Sequence, residues 1–130
     1  MRIGLGISVA GSNQRNFGAF SPAPAPSGIP VATTNLVFTF GSVSSGSFLK
    51  QTHPTILYWL MQDVPEGISF VRLSWNFGLA NAWYLEQWSS GEESSLVYAA
   101  SNSSANSSVI PTSGWTYTEG SGLPITITAA

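Results

Sequence analysis

The chain has 130 residues, 43% of them hydrophobic and only 8% charged, against about 25% charged in an ordinary soluble domain. That length supports one small domain, and four Lys and Arg against six Asp and Glu, a net charge of −2, leave no basic footprint for nucleic acid or an anionic membrane surface. With no cysteine in the chain, disulfides, thiolate metal sites and thiol nucleophiles are excluded.

Residues 1–35 read as an extended N-terminal arm. Gly4, Gly6, Gly11 and Gly18 punctuate its start, and Ser21-Pro-Ala-Pro-Ala-Pro26 follows. Alternating proline fixes φ, removes amide donors and holds each preceding residue extended, so Pro22, Pro24 and Pro26 predict a semi-rigid polyproline II spacer. Before it, Ile3, Leu5, Ile7 and Val9 offer one alternating apolar face suited to strand addition on a neighbouring subunit. A free, solvated tail is the alternative. Against it, no side chain from Asn16 to Leu49 is charged, whereas charge is what keeps disordered tails in water.

From Leu36 to the end the pattern is strand after strand, bounded by Gly, Ser, Asn or Pro. Leu36, Phe38 and Phe40 alternate with Val37 and Thr39, and the run is expected to turn at Gly41-Ser-Val-Ser-Ser-Gly46. Ile56 to Leu60 is a short apolar run that fits a buried strand or one helical turn. Ile68 to Phe77 is the clearest strand, with Val71, Leu73, Trp75 and Phe77 on one side and Arg72, Ser74 and Asn76 on the other. Trp83 to Trp88 is its expected hairpin partner, and Leu96 to Ala100 a further strand before the Ser/Asn-rich loop 101–108. Trp115 to Thr118 and Ile125 to Thr128 are expected as two Thr-rich strands around a Gly120-Ser-Gly122 turn. No long segment carries a 3.6-residue apolar period. The predicted fold is all-β, a small antiparallel sandwich or partly closed barrel of about seven short strands spanning 36–130.

The segment Leu36 to Pro124 carries a spaced set of residues. A Leu36-Val37 strand precedes Ser45-Gly46-Ser47-Phe48, then come Tyr58, Leu73-Ser74-Trp75, Trp83-Tyr84-Leu85 and Leu96-Val97-Tyr98, and the set closes with Pro111, Gly114-Trp115, Gly120 and Pro124. This pattern resembles a small Trp-rich β module that recurs in tail-fibre and other virion proteins of tailed bacteriophages. The module usually has an Asn-Gly-Thr-Tyr type turn where this chain has Ser45 to Phe48, and the segment Pro54 to Phe70 is extra. The resemblance implies that Leu36, Gly46, Phe48, Tyr58, Trp75, Trp83, Tyr98, Pro111, Trp115 and Pro124 are packing residues. It further implies a structural role in the virion, with other virion proteins as partners and no cofactor.

Low charge fits such a role, because a surface that is not kept wet by charge needs covering by copies of itself or by partners. The expectation is a homo-oligomeric virion subunit, a trimer by analogy with fibres, placed in the tail or its fibres and anchored by the arm. A capsid decoration protein and a stand-alone carbohydrate-binding module are the alternatives. The aromatic excess, five Trp and four Tyr, raises the last, since flat rings stack on sugar faces. Trp59 and Trp88 are the expected exposed aromatics for an interface or a host glycan.

Catalysis is not expected. Asp63 and Glu66 flank a turn and Glu92-Glu93 lie in a Ser/Gly loop, while Glu86 alone shares a strand face with aromatics, Tyr84 and Trp88. A glycosidase needs two carboxyl groups facing each other. No metal-ligand spacing is present, and His53, the single histidine, is expected in a structural hydrogen bond or in solvent. No run nears the roughly 20 apolar residues that span a bilayer, so no membrane insertion is expected.

Overall fold

The computed structural model describes residues 28–75, 81–91, 93–104 and 106–130. The strand-forming face of the arm, Ile3 to Val9, and Pro22, Pro24 and Pro26 lie outside the described residues. Those described fold into ten strands: β1 (Ile29–Pro30), β2 (Asn35–Phe40), β3 (Val43–Lys50), β4 (Leu57–Met61), β5 (Ile68–Trp75), β6 (Trp83–Ser89), β7 (Ser95–Asn102), β8 (Val109–Ile110), β9 (Trp115–Glu119) and β10 (Thr126–Ala129). Among the described residues the fold is all-β. Eight strands form one antiparallel sheet in the order β9-β7-β6-β5-β4-β3-β2-β10, curled into a half-barrel, and β1 and β8 form a separate two-stranded sheet.

Alternation decides which side chains fill the inside. Leu36, Phe38 and Phe40 of β2, Phe48 of β3, Trp59 of β4, Val71 and Leu73 of β5, and Trp83 and Leu85 of β6 are buried on the inner face. Phe38 and Phe48 stack with ring centroids 3.8 Å apart. The small sheet closes this interior from one side, contributing Ile29 and Ile110 to the core. Three indole N–H groups pin the covering segments down, where bare apolar contact would leave buried donors unsatisfied. Trp59 donates to the Thr33 carbonyl at 3.0 Å, Trp83 to Asn106 at 2.9 Å and Trp115 to Pro111 at 3.0 Å.

Three sequence expectations change, and one open reading is resolved. The turn after Phe40 is only Gly41-Ser42, and Gly46 lies within β3. There the register slips between Phe38↔Gly46 and Phe40↔Val43, a bulge that lets Val43 and Gly46 both face inward. Next, β9 and β10 do not pair as a hairpin. They occupy opposite ends of the eight-stranded sheet, β9 on β7 and β10 on β2. Ile29 and Val31, in the segment read as arm, pack against the core, so the packed unit reaches back beyond Leu36. Finally, Ile56 to Leu60 resolves as a strand, with Trp59 paired between Lys50 and Leu73.

Candidate functional site

Of the ten residues in the packing pattern, Leu36, Gly46, Phe48, Trp83 and Pro111 are buried, and Trp75, Tyr98 and Trp115 pack partly exposed against the core. Two depart from it: Pro124 is exposed, and Tyr58 points to the outer face because it neighbours inward-facing Trp59. Trp59 itself is 0% exposed, which removes it as an interface or ligand residue. It sits mid-sheet with its ring 6.0 Å from that of Trp83 and the Lys50 ammonium 5.6 Å from its centroid. Trp88 is half-buried on the outer face.

That outer face is the candidate site, and the register builds it. Leu49, Leu60, Arg72, Glu86 and Ala99 form one row across five neighbouring strands. Tyr58, Ser74, Tyr84 and Ser101 form the next row on one side, and Phe70, Trp88 and Leu96 lie on the other. Phe70 and Trp88 stack at 5.8 Å with planes 21° apart. The Arg72 guanidinium lies 5.2 Å from the Phe70 centroid and its Nη2 donates to Glu86 Oε1. Trp88, Phe70, Arg72 and Glu86 thus make a fixed column along the sheet. Beside it a groove of about 440 Å³ is lined by His53, Ile56, Tyr58, Leu60, Phe70 and Arg72.

His53 shapes the rim. Its Nδ1 accepts the backbone N–H groups of Thr55 at 3.2 Å and Ile56 at 3.1 Å, so it fixes the turn entering β4. Two buried donors, Trp88 Nε1 and Ser74 Oγ, have no hydrogen-bond partner among the described residues. Ser74 is 0% exposed although its row faces outward, because it lies directly between Tyr58 and Tyr84.

The carboxylates are scattered. Asp63, Glu66 and Glu93 are exposed, and Glu92 lies outside the described residues. Glu86 shares its row with Glu119 but with Ala99 between, roughly 10 Å across two strand spacings and wider than most carboxylate pairs that cleave glycosides. Among the described residues no three His, Asp or Glu side chains gather as metal ligands do. The face is therefore suited to contact through aromatic and apolar surface, with its ion pair internally neutralised.

Sequence reasoning placed Arg72, Ser74, Glu86 and Trp88 on their correct faces but did not single out Phe70, Tyr58 and Leu60 as a groove. For Phe70 its alternation with Val71 was the available signal, whereas the wholly apolar run Ile56 to Leu60 offered none for Tyr58 and Leu60. Compared with known proteins, the chain matches no family model, and neither curated proteins nor solved structures give a match.

Proposed function

We propose that the chain is a non-enzymatic structural subunit of a tailed-bacteriophage particle, a tail or fibre component held in place by its N-terminal segment. The observation that carries this reading is the outer face of β4, β5 and β6. It gathers Tyr58, Leu60, Phe70 and Trp88 around an Arg72–Glu86 pair that cancels its own charge. Such a face gains by being covered, at roughly 25 cal/mol per Å² of apolar area as an upper estimate. The 8% charge of the whole chain supports the same conclusion, as does the resemblance of the packing pattern to virion β modules. In this reading the protein works as a homo-oligomer among other virion proteins, and its mechanism is assembly.

A carbohydrate-binding module is the second reading, favoured by the aromatic rings on one sheet face. It is the weaker one. Sugar hydroxyls are bound by polar side chains that keep hydrogen-bonding capacity, and here Arg72 and Glu86 engage each other. The test is deletion of residues 1–27 in the encoding phage. Ile29 belongs to the core, so the deletion stops before it. The module should fold and be missing from particles; normal incorporation would contradict anchoring by this segment.

A further inference from the structure

We propose that the groove between Tyr58 and Phe70 is the docking site for the proline segment, residues 21–26, of a neighbouring copy of this chain. The inference rests on reading residues 1–27 as an assembly arm, and it names the surface the arm meets.

The match is chemical. The groove is lined by Ile56, Tyr58, Leu60 and Phe70, with His53 and Arg72 at its margins, and its nearest ion pair is closed on itself. Ser21-Pro-Ala-Pro-Ala-Pro26 is uncharged and apolar. A polyproline II segment brings a preformed shape to aromatic-lined grooves, so little ordering entropy is lost on docking. Three of its six residues lack an N–H, so it is rich in carbonyl acceptors and poor in donors. A segment with few donors leaves few polar groups unsatisfied when it is covered by an apolar groove. A sugar fits less well, because it needs many polar contacts in an apolar groove.

Geometry favours a neighbour over the chain's own segment. Ile29 is anchored in the core on the inner side of the sheet, and the groove opens on the outer side. Pro26 is only three residues before Ile29, about 10 Å of chain. To reach its own groove the segment would have to turn around the sheet at once, and alternating proline resists such bending. A neighbour's groove can receive it in extended form. Ser21 lies seven residues before Gly28, at most roughly 25 Å of extended chain, so the receiving groove belongs to a subunit packed directly against this one.

The absence of cysteine makes the test clean. Ala25→Cys and Leu60→Cys are introduced together in the full chain and oxidised mildly; a bond requires Cα atoms within about 7 Å. The expected result is a ladder of linked dimers and larger species on a non-reducing gel. Ala25→Cys with Val37→Cys, at an exposed position of the same face away from the groove, should give background linkage. Adding Phe70→Ala should cut the ladder about tenfold, as truncation of a central contact does. If Leu60→Cys disturbs folding, Tyr58→Cys replaces it. A fast-migrating monomer with an internal bond, linkage equal to the Val37→Cys control, or no linkage would overturn the proposal. Saturable binding of a host polysaccharide lost in Phe70→Ala, without linkage, would assign the face to sugar and overturn it too. Failure here with the protein still found on particles refutes the docking site alone; a ladder without particle association refutes the virion reading alone.

Discussion

The Tyr117 hydroxyl accepts the backbone N–H of Gly41 at 2.9 Å across 76 positions of sequence and donates to the Leu123 carbonyl at 2.6 Å. It therefore ties β9, at one end of the sheet, to the turn leaving β2 near the other end, and to the segment leading into β10. Phe40 stacks on its ring at 5.5 Å, and Leu123 N–H closes the set by donating to Gly41 O at 2.9 Å. These contacts hold the open sheet in its curl. Tyr117→Phe keeps the ring and leaves the Gly41 donor unpaired, which should cost about 1–3 kcal/mol. Urea denaturation should show a lower midpoint with an unchanged slope; an unchanged midpoint would remove Tyr117 as the tie.

The same residue predicts an alkaline limit. Burial pushes the Tyr117 phenol above its ordinary value of 10.0, the Gly41 N–H opposes this by favouring the phenolate, and Tyr98 adds to the rise. A folded value above the unfolded one means the unfolded chain loses its proton first. The associated stability is thus fully present below about pH 10 and is lost as pH climbs through the folded value. Denaturation series from pH 8 to 11 should show a decline that is shallower in Tyr117→Phe. An identical decline in both proteins would contradict this account.

Gly46 is required for space. A Cβ there would lie 2.5 Å from two carbons of the Phe38 ring, which is wholly buried and stacked on Phe48. Backbone cannot yield easily beside the bulge, and the ring has nowhere to go in a packed interior. Gly46→Ala should destabilise by about 1–3 kcal/mol, seen as a lower thermal midpoint.

Trp59 and Trp88 should separate sharply when truncated. Trp59 is wholly buried and hydrogen-bonded to Thr33, so Trp59→Ala should cost about 3–5 kcal/mol. Trp88 is half-buried on the outer face, and Trp88→Ala should cost about 1–2 kcal/mol. Equal losses in chemical denaturation would contradict the assignment of the two faces.

The sequence made the class of fold and most strand positions legible because alternation is a local signal. Leu36, Phe38 and Phe40 declare their inner face without any partner. What it could not carry was pairing between distant strands. The Gly120 to Gly122 tract is a good local turn signal, yet β9 and β10 part there, since β10 completes the edge beside β2 and Tyr117 anchors the crossing. Trp59 was misplaced for a similar reason: in a wholly apolar run, Tyr58 and Trp59 cannot be told apart until their cross-strand neighbours, Ser74 and Leu73, are known. The outer groove was half legible. Arg72 and Glu86 alternate clearly with core residues, but their union needs the β5 to β6 register.

The central claim is that this protein is built into a phage particle, and the direct measurement is gold-labelled antibody electron microscopy on particles produced from the encoding genome. The account predicts label on the tail or its fibres. Label spread over the head would replace that placement with a capsid decoration role, and particles without label, from a stock shown to carry the gene, would contradict the structural reading altogether.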